Sequence, residues 1–247
     1  WGGSLRESKW CLLANDRRSG TLPSAYCRRT TDLTFQKSGG VTFVSMLRWC
    51  TIVLVAVLCT GMSGDPLKQG LVDLLMEFMN ARYPDRPQAD DLLYVSVQRQ
   101  QLIHVNRGRS VGIYPISTAK AGLGGDQDSF RTPTGLHRVS EKIGAGVPAF
   151  GILKDREFAG AMADPDFAGV DKDWITSRVL WLEGLEPGVN QGNNFDSHER
   201  YIYIHGTANE RTIGTASSMG CVRMLNSDII QLFDSIPVGT LVVILDN

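Results

Sequence analysis

The chain is short of usable cysteine. It has five in 247 residues, but Cys11, Cys27, Cys50 and Cys59 all precede residue 65, so everything after that point keeps Cys221 alone. A single cysteine excludes an internal disulfide framework, and an unpaired thiol in an oxidising compartment is either used or buried. Metal-ligand spacing is missing too. None of the four histidines has a Cys or His partner at the short intervals zinc sites use, His198 in the acidic stretch Asp196-Ser197-His198-Glu199 included, so no metal is expected. No Lys/Arg stripe of the kind that neutralises a phosphate backbone is present, which argues against nucleic acid as a partner. No apolar run reaches the roughly 20 residues of a spanning helix.

What is present reads as one globular domain with additions, since 43% of residues are hydrophobic and 21% charged. The net charge of -1 hides an asymmetry, with eight Lys/Arg against three Asp/Glu in residues 1–64 and the acidic excess in the remainder. Residues 1–45 precede the first methionine, Met46, and show no sustained hydrophobic period. They are expected to be upstream sequence or disordered. Residues 46–64 have the anatomy of a signal peptide: the short basic start Met46-Leu47-Arg48-Trp49, the apolar run CTIVLVAVLC from Cys50 to Cys59, then small residues. The chain is therefore expected to be exported to the periplasm or cell envelope. Membrane contact is expected only through that signal or through an uncleaved anchor.

Residues 65–91 read as an amphipathic helix and linker. Asp65 is the cap, Pro66 the first helical residue, and Leu67, Leu71, Leu74, Leu75, Phe78 and Met79 form the apolar stripe. From residue 92 to 247 the pattern is mainly β. The runs LLYVSV (92–97), QLIHVN (101–106) and RSVGIYPI (109–116) predict an antiparallel meander with a turn at Arg107-Gly108. Further strands are expected at 136–139, 177–182, 201–205 and 240–245. A helix is expected from Asn226 or Ser227 to Ile236, stopped by Pro237, with Ile229, Leu232, Phe233 and Ile236 inward. The Gly, Pro and Asp-rich region 142–194 is expected to hold long loops around a site.

The chemistry concentrates in residues 201–224, YIYIHGTANERTIGTASSMGCVRM. Alternation puts Tyr201, Tyr203 and His205 on one face and Ile202 and Ile204 on the other. His205 then stands at a strand end before Gly206, and one loop separates it from Ser218-Met219-Gly220-Cys221-Val222-Arg223. A thiol with a pKa of about 8.5 is mostly protonated near neutrality, and an imidazole nearby can take its proton. Gly220 lets backbone amides approach a developing oxyanion. His104 and His137 are read as packed or surface residues.

This segment resembles the signature of the L,D-transpeptidase catalytic domain of the YkuD-like type. There a His-Gly strand end precedes a Ser/Thr-x-Gly-Cys-hydrophobic-Arg/Asn motif. The likeness extends upstream through Tyr94 to Ser117, with strands ending in Tyr114-Pro115-Ile116-Ser117-Thr118, and through Arg131-Thr132-Pro133-Thr134-Gly135, which is similar to that family's Thr-Pro-x-Gly loop. The resemblance implies a mainly β barrel or sandwich with a few peripheral helices, no cofactor, Cys221 as nucleophile, and His205 as base. It implies that the carbonyl of Gly206 or its neighbour orients the imidazole. Ser218, Met219 and Arg223 then fall at substrate-lining positions, with Ser218 shaping the loop. Arg223 is open to two readings, a partner for a substrate carboxylate or a structural ion pair. Met219 departs from the histidine many members carry there.

The implied reaction has two acyl transfers. Cys221 takes the acyl group from a tetrapeptide stem of peptidoglycan and releases D-alanine, and an amine then resolves the thioester. The product is a 3-3 cross-link, or a wall anchor if the amine belongs to a lipoprotein. Water as acceptor makes the alternative an L,D-carboxypeptidase, and a catalytically silent peptidoglycan-binding module is the alternative of another class. Sortase-like and NlpC-type enzymes fit less well. The first keeps its His and Cys further apart, and the second places Cys before His.

Overall fold

Residues 66–87, 89–164 and 173–247 are described by a computed structural model. Segment 1–45, the signal expected at 46–64, the cap expected at Asp65 and the other four cysteines lie outside these residues. Among the described residues, ten strands and two α-helices follow one another. A helix α1 (Pro66–Arg82) precedes β1 (Asp91–Ser96), β2 (Gln101–Asn106), β3 (Arg109–Ser117), β4 (Gly135–Ile143) and β5 (Gly151–Lys154). Then come β6 (Glu157–Met162), β7 (Ile175–Gly184), β8 (Tyr203–Thr207), β9 (Val222–Met224), α2 (Asn226–Ser235) and β10 (Leu241–Leu245). Among the described residues no helix is long and apolar enough to cross a membrane.

β1, β2 and β3 form the expected antiparallel meander. Its second turn uses Arg107 and Gly108 at φ 49° and 71°, the positive pair that a tight hairpin requires. The strand order is β4-β10-β1-β2-β3-β9-β8-β7, and β7 pairs back onto β4, so eight strands close into a ring. β1 with β10 and β8 with β9 are parallel, and the other pairings are antiparallel. The hairpin of β5 and β6 hangs from the edge of β7 that β4 leaves uncovered. Closure removes the exposed edges that a long sheet would offer to other chains.

Inward side chains fill the ring. Leu93, Val95, Leu102, Ile116, Leu180, Leu182, Ile202, Ile204, Val222 and Met224 pack with Ile229, Leu232, Phe233 and Ile236 from α2 and its end, the four residues the helix was expected to bury. A second core lies outside β1, β2 and β10, where Val72, Leu75 and Met79 of α1 cover Leu92, Tyr94, Ile103, Val105 and Val243. The expected stripe on α1 is corrected here. Leu67 and Leu74 are 85% and 66% exposed, and Val72 takes the inner face. A third, smaller core of Leu153, Val179, Trp181 and Tyr203 lies outside β7 and β8, with Cys221 packed against it. Asn226 does not cap α2 with its side chain. It is buried in a network described below.

Candidate active site

The site is assembled on the outer face of β8 where β9 runs beside it. Ile202 and Ile204 point into the ring core, while Tyr203 and His205 point out. Strand β8 starts at Tyr203, later than the sequence suggested. Tyr201 sits in a turn at φ 56°, which still brings its ring toward Tyr203, with centroids 6.5 Å apart. His205 lies opposite Arg223 in the parallel pairing, and Cys221 enters β9 one residue before Val222, which faces Ile204.

Cys221 is a free, partly buried thiol. Its Sγ accepts from the Tyr203 amide at 3.4 Å and donates to the Tyr201 carbonyl at 3.4 Å. Burial pushes the thiol pKa up to about 12, against the Tyr203 amide, which favours the thiolate. The contact with the Tyr201 carbonyl, which can only accept, likewise places a proton on the sulfur. His205 is buried, and desolvation lowers its pKa, with Asp173 and the Gly206 carbonyl opposing that shift. Its Nδ1 is 2.8 Å from the Gly206 oxygen. A carbonyl can only accept, so Nδ1 carries the proton and Nε2 keeps its lone pair. Gly206 thus holds the orienting position that the resemblance implied.

Gly206 is small for a reason visible around it. A Cβ there would lie 2.7 Å from both the Asn226 Oδ1 and the Thr176 carbonyl. Asn226 accepts from Thr176 Oγ1 at 2.6 Å and Ser177 Oγ at 2.5 Å, and it donates to the Thr207 carbonyl at 2.8 Å and to Glu210. This buried knot ties α2 and β7 to the end of β8 that carries His205.

The approach to Cys221 is equally fixed. Gly220 has φ 129°, a conformation L side chains rarely adopt, although no close neighbour crowds it. Ser218 is buried, donates to the Cys221 carbonyl at 2.6 Å, and accepts from the Gly220 amide at 3.2 Å. The Gly220 amide is thereby engaged inside the loop. Thr132 Oγ1 donates to the Gly220 carbonyl at 2.8 Å and accepts from the Ala119 amide at 3.0 Å. Thr132 explains why the Thr-Pro-Thr-Gly loop accompanies the cysteine motif: it pins the residue before the thiol. Met219 is 58% exposed and makes no part of this lattice of bonds.

Arg223 is buried, and its guanidinium meets Asp173 Oδ2 at 2.5 Å. Of the two readings left open for it, the structure gives the internal ion pair, not a guanidinium free for a substrate carboxylate. The pair is incompletely satisfied, since Asp173 Oδ1 and Arg223 Nε have no hydrogen-bond partner. Asp173 was not singled out from sequence, where nothing in its loop marks it. Arg200 was also missed. It is partly buried, donates to the Arg131 carbonyl at 2.8 Å, and lies close enough to Cys221 to favour its thiolate.

A pocket of about 440 Å³ opens beside the sulfur, lined by Leu153, Arg156, Ile175, Val179, Tyr201 and Tyr203, with Asp155 at its rim. Behind it Trp181 stacks on His198 at 3.9 Å between centroids and on Tyr201 at 5.7 Å. His198 is thus an aromatic partner. His137 and His104 are buried, the first between Gly135 and Ser197 and the second against Asp91. Among the described residues, no group of three His, Cys, Asp or Glu side chains is placed to hold a metal ion.

Residues 90–244 match the family model described as YkuD, the L,D-transpeptidase catalytic domain. The chain belongs to the L,D-transpeptidase catalytic-domain family. Two Bacillus subtilis proteins are among its relatives. "Putative L,D-transpeptidase YqjB" is 50% identical over 48 residues, which are 19% of this chain and 27% of that protein. "Putative L,D-transpeptidase YkuD" is 42% identical over 60 residues, 22% of this chain and 37% of that protein. The chain spans well under half the length of these relatives. Among solved structures, L,D-transpeptidase 3 of Mycobacterium tuberculosis, in complex with a faropenem-derived adduct, aligns with a TM-score of 0.41 and 13% identity over 64% of this chain and 60% of that one. An L,D-transpeptidase from Mycobacterium smegmatis aligns at 0.39 and 17%, over 64% and 59%. Likeness of that size adds nothing to the assignment, which rests on the L,D-transpeptidase domain match.

Proposed function

We propose that this protein is a cysteine-dependent acyltransferase of peptidoglycan, acting in the periplasm or cell envelope on tetrapeptide stems. The observation that carries the reading is the hydrogen bond from His205 Nδ1 to the Gly206 carbonyl. It leaves a neutral Nε2 lone pair on the strand next to Cys221, the nucleophile's partner in a thiol-imidazole pair. Because burial holds the Cys221 thiol protonated, proton transfer accompanies attack and no standing ion pair is required.

The steps follow from that protonation. Cys221 Sγ attacks the carbonyl of the stem's third residue, a diamino acid, while its proton passes to His205 Nε2. The C–N bond to terminal D-alanine then breaks, and the leaving amine takes the proton from His205. His205 next removes a proton from the incoming amine as that nitrogen attacks the thioester, and the thiol is regenerated. An amine on a second stem gives a 3-3 cross-link, one on a lipoprotein gives a wall anchor, and water gives a trimmed tripeptide. No cofactor enters these steps. The apolar run of residues 50–59 is the support for export.

The test is incubation of the full chain with disaccharide-tetrapeptides, read by intact-protein and product mass spectrometry. A thioester on Cys221 with loss of D-alanine is expected, and it disappears in Cys221→Ala. In His205→Ala the rate falls at least about 100-fold, the lower range for a general base. Without an adduct or product from protein shown to be folded, the silent binding module replaces this reading.

A further inference from the structure

The turn joining β5 to β6 places Asp155 and Arg156 at φ 51° and 70°. Two consecutive positive φ values are the geometry of a hairpin turn that favours Asn-Gly or Asp-Gly. Asp155 suits the first position, but Arg156 stands where glycine costs least. Strain of this kind points to a side chain kept for another purpose. The guanidinium of Arg156 lies 5.0 Å from the centre of the Trp181 ring and 5.8 Å from that of Tyr201. It also hydrogen-bonds Tyr203. A planar cation is thus held over an aromatic floor at the mouth of the pocket, with the Asp155 carboxylate next to it on the same rim.

The pocket's place relative to the sulfur says which part of a donor it meets. Tyr201 and Tyr203, which line it, also supply the carbonyl and amide that touch Cys221 Sγ. In a thioester the residue bonded to sulfur is the donor's third, so its side chain leaves from the carbon beside the thioester carbonyl and is the group nearest this pocket. A rim with one cation and one anion on consecutive residues complements an end group bearing both charges.

We propose that Asp155 and Arg156 read the far end of the donor's diamino acid, selecting a side chain that ends in both an amine and a free carboxylate. Arg156 binds the carboxylate with its two-pronged donor face, and Asp155 meets the amine. This rests on the acyl-transfer reading above and adds to it a specificity-determining pair outside the cysteine motif.

The experiment compares two disaccharide-tetrapeptides that differ only in whether the third residue's side-chain carboxylate is free or amidated. Full-length protein is used, with D-alanine release as readout. The wild type is expected to favour the free acid by about tenfold in kcat/KM, the scale of one charge-assisted hydrogen bond. Arg156→Ala removes the preference through KM with kcat kept, and Arg156→Lys retains part of it. Asp155→Asn weakens both donors, since both keep the amine. Labelling of Cys221 by a thiol probe at the wild-type rate shows that each variant is folded. Equal use of the two donors by the wild type overturns the proposal, as does an equal loss for both donors in Arg156→Ala, while a thioester still formed from each leaves the acyl-transfer reading standing. If neither donor forms a thioester on a wild-type Cys221 that the probe labels, the acyl-transfer reading fails and takes this inference with it.

Discussion

Two histidines show how the same side chain is put to different uses by its surroundings. His205 keeps one nitrogen on a backbone carbonyl and the other ready to take a proton, whereas His137 has both committed, to Gly135 and to Ser197 Oγ. Burial lowers the pKa of His137 to about 4 from an ordinary value near 6.5. The folded protein then refuses a proton that the unfolded chain accepts, so the stability associated with His137 is complete above about pH 6.5 and falls as the pH drops toward 4. A shift of that size corresponds to about 3 kcal/mol. Urea unfolding of the wild type at pH 7 and at pH 4.5 should show a loss of this order. His137→Gln should show a smaller one, since His205, also depressed, still contributes. A dependence unchanged in the variant would assign the acid sensitivity elsewhere.

At the scale of elements, the end of β8 and the start of α2 are one unit because Asn226 bonds both. Adding a methyl at Gly206 drives a Cβ to within 2.7 Å of Asn226 Oδ1 and the Thr176 carbonyl, and neither can retreat cheaply. Gly206→Ala is expected to cost about 1–3 kcal/mol in thermal unfolding, as overpacking does. It should also abolish thioester formation in the fraction that stays folded, because the displaced carbonyl is the one that orients His205. A variant with normal turnover would show that this carbonyl is dispensable.

Elements also explain what the sequence revealed of itself. The run Gln101–Asn106 is a strand over those same residues because one turn ends it on each side, and Ile202 and Ile204 alternate with Tyr203 and His205 as a two-faced strand must. Cys221 and His205 could be singled out because rare residue types stood at a loop's two ends, and the structure sets that loop's ends on paired neighbouring strands. The hairpin of β5 and β6 could not be. Every residue of β6 is exposed, so no buried face imposed an alternating pattern. Strand β9 is three residues long and hidden within the motif. On α1 the number of apolar residues exceeds what its narrow contact can cover, so counting them rotated the inferred face toward Leu67 and Leu74. Asp173 and Arg156 stand outside the cysteine motif, where no local pattern marks either residue.

Across the whole molecule, α1 and the candidate site lie on opposite sides of the ring: α1 covers β10, β1 and β2, and the thiol lies by β8. Glu186 fastens the helix end, accepting from Tyr83 at 2.8 Å, Arg82 at 2.9 Å and the Leu136 amide at 2.6 Å. Met79 is fully buried beneath the helix. Met79→Ala should destabilise the protein by about 2–5 kcal/mol in urea unfolding. The rate of thioester formation well below the melting temperature should stay unchanged, because the cavity opens in a core the site does not touch. A fall in that rate without unfolding would mean that the two faces communicate through the ring.

The pairing of β1 with β10 has one more consequence, and it concerns time. Leu92–Ser96 lies against Leu241–Leu245, and that same last strand supplies the partner for β4. The ring therefore closes only through a contact between residues at the far ends of its sequence, and intermediates that lack it leave two strand edges bare. Such long-range closure makes folding slow and all-or-none, with little of the ring stable in advance of the rest.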